Sequence, residues 1–161
     1  MPVAYPSELR GMINAGKTRN IAPSFAESRP LVGASYIESV TDDAPFLYSF
    51  QLTFTRPQAA IFWAWFNSAS YCDKGRAQFT MPIRIDSGEI VDQTVRFTAD
   101  GIPQLTSDLG GAVVYSCTVY GARLEVATPF DTIMEFYEIY GADTNELIYL
   151  DKTVNEGLPN A

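Results

Sequence analysis

The stretch that decides the fold reads TRPQAAIFWAWFN and runs from Thr55 to Asn67. It holds both tryptophans of the protein, and its Pro57 suits the first turn of a helix. Apolar side chains recur four positions apart, in the pairs Ile61 with Trp65 and Phe62 with Phe66. Trp63 falls on the other side of the same helix. The pattern predicts a helix, capped at Thr55 or Arg56, that is apolar nearly all round and buried on two faces.

Alternating apolar residues on both sides of this helix predict β-strands. One alternation covers residues 46–54, and a second covers 77–85 before a turn and a returning strand. A third covers 113–126, and its phase changes at 119–121 beside a glycine. A change of phase at that position predicts a β-bulge within one long strand.

A second helix is predicted from Thr128 to Gly141, because Pro129 suits its first turn and Gly141 suits its end. Its apolar residues have the spacing of one helical face, namely Phe130, Ile133, Met134 and Tyr137. The predicted fold class is therefore α+β, an antiparallel β-sheet of about four to five strands packed with two helices.

Both ends of the chain lack a periodic pattern. We predict an extended N-terminal arm over residues 1–35, an α+β core domain over 36–141 and a C-terminal tail over 142–161. The arm is punctuated by proline and glycine and is the most basic part of the chain. Segments of this kind are rarely ordered alone, so we expect the domain or a neighbouring chain to hold the arm.

The overall charge argues against nucleic acid as a partner. The 161 residues carry a net charge of −8, and the eleven Lys and Arg are scattered, whereas phosphate contacts need a basic patch. No apolar run is long enough for a membrane span or a signal peptide, so we expect a protein made and folded in a cytosol. There, Cys72 and Cys117 are expected as buried free thiols, although a disulfide stays open.

One segment matches a nucleotide-binding motif. Residues 11–18 read GMINAGKT and fit the pattern GxxxxGK[ST] letter for letter. That motif binds phosphate only when a strand precedes it and a helix follows it. Residues 1–10 contain two prolines and Pro23 follows soon after, so we reject a nucleotide site. A nucleotide hydrolase using Gly16, Lys17 and Thr18 is kept as a third hypothesis.

No other group of residues predicts catalysis, a cofactor or a metal site. The absence of histidine removes the commonest general base and metal ligand. The carboxylates at 42–43, 86–92 and 135–146 fall in turns or on a solvated helix face, not where they would converge. We predict that the protein is not an enzyme. The aromatic helix is expected to form core, and Trp63 is also suited to anchor a partner subunit.

Two short motifs give the chain a resemblance to a known group of proteins. Residues 62–65 read FWAW within the aromatic helix, and residues 79–82 read FTMP after Gly75. With the arginine-bearing arm before them and Leu124–Glu125 after them, they resemble small tail-associated virion proteins of tailed bacteriophages. The resemblance covers about residues 25–126.

The resemblance implies a structural subunit of a virion, in or next to the tail (tail, collar or head–tail joint), assembled in the bacterial host cytoplasm. Its implied partners are identical subunits and neighbouring virion proteins, contacted through the arm and the tail. The residues that we expect at these contacts are Arg10, Arg19, Arg29, Trp63 and Tyr149. The alternative is a monomeric α+β module that binds a ligand or partner without catalysis, with a pocket under the aromatic helix.

Overall fold

The computed structural model describes residues 1–9, 16–41, 43–86, 88–108 and 110–141. The strands in these ranges are β1 (Val3–Ala4), β2 (Thr18–Ile21), β3 (Phe25–Ser28), β4 (Tyr36–Ser39), β5 (Phe46–Thr55), β6 (Phe79–Arg84), β7 (Ile90–Phe97), β8 (Gln104–Asp108) and β9 (Ala112–Gly121). The helices are α1 (Arg56–Asn67) and α2 (Phe130–Tyr140). The predicted α+β class with two helices is confirmed.

The sheet is centred on β5 and β9, which pair antiparallel along their whole lengths. Phe46 lies opposite Gly121 at one end, and Thr55 lies opposite Ala112 at the other. Successive side chains of a strand point to opposite faces. Every second residue of both strands is therefore buried, without interruption.

Five further strands complete the main sheet, in the order β1-β6-β7-β9-β5-β2 with β8 also paired to β9. The second edge of β9 is shared by two strands. β8 pairs with residues Val113 to Ser116, and β7 pairs with Val119 and Tyr120. β1 runs parallel to β6, whereas the other pairs are antiparallel.

The sheet is thus mixed and has seven strands in the described residues, not four to five antiparallel ones. The sequence pattern does not predict β1 and β2, because they have only two and four residues in a segment rich in proline and glycine. It does not predict β8, because the side chains of β8 are mostly exposed and show no alternation. β1 and β2 also bring part of the predicted arm into the sheet, while the boundary at residue 35 stays a prediction.

The bulge predicted at 119–121 is wrong. Burial alternates evenly along β9 up to Gly121, where the strand ends. The change of phase in the sequence therefore marks the end of the strand. A register shift does occur in the neighbouring strand β8, between Leu105 and Ser107.

α1 is capped by Thr55, one of the two predicted cap positions. The backbone N–H of Thr55 donates to Gln58 Oε1 at 3.0 Å, which satisfies a donor at the start of the helix. The buried residues of α1 are Ala59, Phe62, Trp65 and Phe66. Ile61 is 43% exposed, so the helix buries one broad face and not two.

Aromatic rings join α1 to the inner face of the sheet. The Phe62 ring centroid lies 5.0 Å from that of Phe54 and 6.0 Å from that of Tyr115. The Trp65 ring lies edge-on to those of Tyr5 and Phe79, at 5.4 and 5.1 Å. Such pairs contribute about 0.5–1.5 kcal/mol each beyond the area they bury. Tyr5 shows that the first residues of the chain also contribute to the core.

The sheet curls around this core. β2 and β6 lie four places apart in the strand order, yet side chains from the β2 region reach the end of β6. Arg19 forms an ion pair with Asp86, and Lys17 Nζ donates to the Arg84 carbonyl oxygen. These contacts are possible only if the two sides of the sheet approach each other.

Residues 1–125 and 126–161 form two compact units. The described part of the second unit contains α2, which is the second helix predicted from the sequence. At its end the N–H of Gly141 donates to the Tyr137 oxygen at 2.8 Å. The predicted tail at 142–161 lies outside the described residues.

Gly121→Ala should destabilise the protein, because Gly121 faces the ring of Phe46. A Cβ atom at this position would lie 2.1 Å from Phe46 Cζ. Overpacking of a core typically costs about 1–3 kcal/mol, and urea unfolding should show a loss of that size. Gly111→Ala is the matched control, since a Cβ at Gly111 meets no atom within 4 Å. Equal stability of the two variants would contradict this packing.

Candidate interaction surfaces

β3 and β4 form a hairpin separate from the seven-stranded sheet. Phe25 pairs with Ser39, and Glu27 pairs with Ile37. This register places Phe25 and Ile37 diagonally on one face of the hairpin. Backbone hydrogen bonds close its base, from Ala22 N–H to the Pro45 oxygen (2.8 Å) and from Val40 N–H to the Ser24 oxygen (2.9 Å).

The apolar side chains of this hairpin are exposed. Phe25 is 48% exposed and Ile37 is 68% exposed, while Leu31 and Val32 at the tip are almost fully exposed. A two-stranded hairpin is only marginally stable alone in water. Contiguous exposed apolar surface commonly marks a site of interaction. The β3–β4 hairpin is therefore the first candidate contact surface.

Arg29 adds a charged group to the hairpin. Its Nε and Nη2 atoms donate to the two carboxylate oxygens of Glu27, at 2.9 and 2.8 Å. Exposed ion pairs of this kind contribute little to stability. The guanidinium can therefore exchange Glu27 for a carboxylate of a partner at low cost.

A second candidate surface contains three cations. We call it the cationic patch and define it by Lys17, Arg19 and Arg84, with the carboxylate of Asp86 beside them. Arg19 Nη1 donates to the Tyr48 hydroxyl at 3.4 Å, and Lys17 Nζ lies 5.0 Å from the Tyr48 ring centroid. Burial lowers the pKa of Lys17, and the charges of Arg19 and Arg84 lower it further against the opposing effect of Asp86. The patch has an excess of positive charge.

A groove of about 340 Å³ lies on the outer face of the sheet, opposite to α1. Its floor includes the outward side chains of Ser49, Gln51 and Thr118, and its wall includes Asp100 and Gln104. The Ser49 and Thr118 hydroxyls are hydrogen-bonded to each other at 2.9 Å. This groove does not lie under the aromatic helix, where the alternative hypothesis placed its pocket; buried aromatic side chains of the core lie beneath α1.

Of the five residues expected at contacts, three lie in the described part of the chain, on three different elements. Arg19 belongs to the cationic patch and Arg29 to the hairpin. Trp63 is half-buried, and its Nε1 donates to the Tyr115 hydroxyl at 2.8 Å. Arg10 and Tyr149 lie outside the described residues. A contact role for all five stays a prediction.

Sequence reasoning missed the apolar side chains of the hairpin and the grouping of Lys17 with Arg84. A signal for the hairpin exists in the sequence, since 25–40 holds several large apolar residues in a segment that predicts no core element. No signal exists for the cationic patch. Lys17 and Arg84 are 67 positions apart, and only the curl of the sheet brings them together.

The motif at 11–18 lacks the helix that would bind phosphate. Its last residue, Thr18, begins strand β2, while residues 11–15 lie outside the described ranges. Within those ranges, no group of three or more Cys, Asp or Glu side chains is placed to hold a metal ion. None of the helices described is long and apolar enough to cross a membrane.

We compared the chain with protein-family models, with curated proteins and with solved structures, and found no match in any of the three. Fold and surfaces define the class as an α+β protein with an exposed apolar hairpin and a cationic patch.

Both cysteines should be unreactive in the folded protein, because they are the buried free thiols that the sequence predicted. Burial raises the pKa of Cys72 to about 11 and that of Cys117 to about 12. Only the thiolate is nucleophilic, so a disulfide reagent at pH 8 should titrate no thiols in the native protein. After denaturation it should titrate two per chain.

The same pKa shifts predict how stability depends on pH. The folded-state pKa values lie above the ordinary value of 9.0, so the unfolded chain releases these protons first. The contribution to stability is fully present below pH 9 and is lost as the pH rises toward 12. Rapid native reaction at pH 8 would contradict both statements.

Proposed function

We propose that this chain is a structural subunit of a tailed-phage virion, in or next to the tail. It acts by assembling with identical subunits and with neighbouring virion proteins, and it reaches the virion from the bacterial host cytoplasm. The observation that carries the assembly part of this proposal is the apolar β3–β4 hairpin. The phage part rests on the resemblance of two motifs.

The hairpin supports assembly because burying its side chains requires another surface. Fully burying a Leu, Ile, Val or Phe side chain contributes about 1.5–3 kcal/mol. Leu31 and Val32 at the tip are exposed, and so are Phe25 and Ile37 on one face of the hairpin. A subunit that leaves these side chains in water gains stability when a neighbour covers them.

The motifs behind the resemblance pack against each other, which supports reading them as one unit. The ring of Trp65, from FWAW, lies perpendicular to that of Phe79, from FTMP, at 88° and 5.1 Å. Gly75 between them has a φ of +87°, and a Cβ there would lie 3.3 Å from Phe66 Cε2. The aromatic helix, the glycine and the strand that carry the resemblance thus form one packed unit.

The second candidate function is a monomeric binding module without catalysis. The observation that favours it is the outer-face groove of about 340 Å³, which lies within the range of small-ligand sites. A protein that stays a compact monomer at high concentration, is absent from particles and binds a small ligand through Gln51 and Gln104 would favour this alternative.

The assembly proposal predicts that Phe25→Ser combined with Ile37→Ser weakens association while the fold persists. Light scattering across concentration should show an apparent dissociation constant raised by at least about tenfold. Incorporation of the tagged variant into phage particles, in cells lacking the native protein, should fall in parallel. Thermal unfolding should be unchanged, because both side chains lie outside the core.

Leu105→Ser is the matched control, since Leu105 is similarly exposed at 59% but lies on β8 of the main sheet. It should associate and enter particles as the unchanged protein does. A truncation of residues 1–30 is a poorer test, because it also removes the buried Tyr5 and Leu9. Normal incorporation of the hairpin variant would show that the hairpin is not the contact.

A further inference from the structure

α2 has an apolar stripe that is exposed to solvent. Phe130, Met134 and Tyr137 follow the spacing of one helical face, and they are 60%, 54% and 51% exposed. None of the side chains described on α2 is buried. An isolated helix of eleven residues is marginal in water, so covering this stripe would stabilise α2.

An acidic row runs beside the stripe. Asp131, Glu135 and Glu138 are spaced by four and three residues, which places them in line on the neighbouring flank of the helix. No Lys or Arg lies within α2. The whole segment 126–161 has seven acidic residues and one lysine, so it carries −6 of the total charge of −8. Two such helices repel each other, and the favoured occupant is a basic surface.

The cationic patch has the complementary arrangement. Lys17, Arg19 and Ile21 alternate along the β2 segment and therefore project to the same side. Ile21 is 52% exposed, and Arg84 adds a third cation across the curl of the sheet. The span from Lys17 to Ile21 is about 13 Å at the rise of a strand. The acidic row spans about 10 Å at the rise of a helix.

We infer that α2 of one copy binds the cationic patch of a second copy, with its acidic row on Lys17 and Arg84 and its apolar stripe beside Ile21. This inference rests on the proposed function, because it names a further contact, besides the hairpin, through which identical copies associate. Such a contact joins two different surfaces and is heterologous. Repeated from copy to copy, it generates a ring if the rotation closes and a filament if it does not.

A charge-swap experiment tests this contact between copies. One variant carries Lys17→Glu and Arg84→Glu, which makes the patch acidic. The other carries Glu135→Lys and Glu138→Lys, which makes the row on α2 basic. Each variant alone should associate at least about tenfold more weakly than the unchanged protein, because like charges then meet at the contact. An equal mixture should recover association, since each altered surface finds its opposite on the other variant.

Sedimentation velocity over a wide range of concentration and salt measures the association, and unfolding midpoints establish that both variants are folded. Arg84→Glu alone is the milder alternative if the double change at the patch unfolds the protein. Arg76→Glu with Arg123→Glu is the control of equal charge change at exposed positions outside the patch, and it should associate normally.

The outcomes separate this inference from the proposed function. Recovery of association on mixing supports the contact between copies. The inference is wrong if both reversed variants still associate as strongly as the wild-type protein. It is also wrong if a mixture of the two variants associates no more strongly than either variant alone. Another occupant then covers the stripe. A wild-type protein that stays monomeric and is absent from particles overturns the proposed function as well.

Discussion

The antiparallel pairing of β5 with β9 over ten residues is the contact on which the unit 1–125 depends. It lines up two buried rows of side chains on one face, and α1 covers them. α1 has little freedom in where it lies, because Thr55 is both the last residue of β5 and the cap of the helix. The aromatic side chains of α1 must therefore fold back over the strand that precedes them. Gly121 completes the arrangement by leaving room for the Phe46 ring at the end of the pair.

Burial of this core leaves apolar surface elsewhere on the chain. In the part of the chain that the structure describes, the hairpin lies outside the main sheet with exposed apolar side chains, and the stripe of α2 is exposed although its spacing is that of a core helix. A net charge of −8 tends to keep copies apart. That charge is concentrated in residues 126–161, while cations gather at the curl of the sheet. Such surfaces suit the proposed assembly, in which copies that repel each other overall still associate where complementary surfaces meet.

Much of the fold could be predicted because its main elements have strong periodicity. The alternation in β5 indicates a strand. The i,i+4 aromatic pairs of α1 and the stripe of α2 each indicate a helix. Prediction failed for β1, β2 and β8, which are short or exposed and owe their place to a neighbouring strand. On the candidate surfaces, the sequence predicted single residues such as Arg19 and Arg29, and their contact role stays a prediction. Their surroundings could not be predicted, because the Asp86 partner of Arg19 lies 67 positions away.

The sequence by itself determined the α+β class and the aromatic helix, because each depends on local pattern. It favoured buried free thiols at Cys72 and Cys117 but left a disulfide open. The tertiary structure alone decided that the sheet is mixed and curled, that Tyr5 and Leu9 join the core, and that Lys17 meets Arg84. It also decided that the apolar residues of 25–40 stand on a hairpin outside the sheet. These features depend on which distant segments pair, and pairing is set by the packing of the whole unit rather than by any local preference.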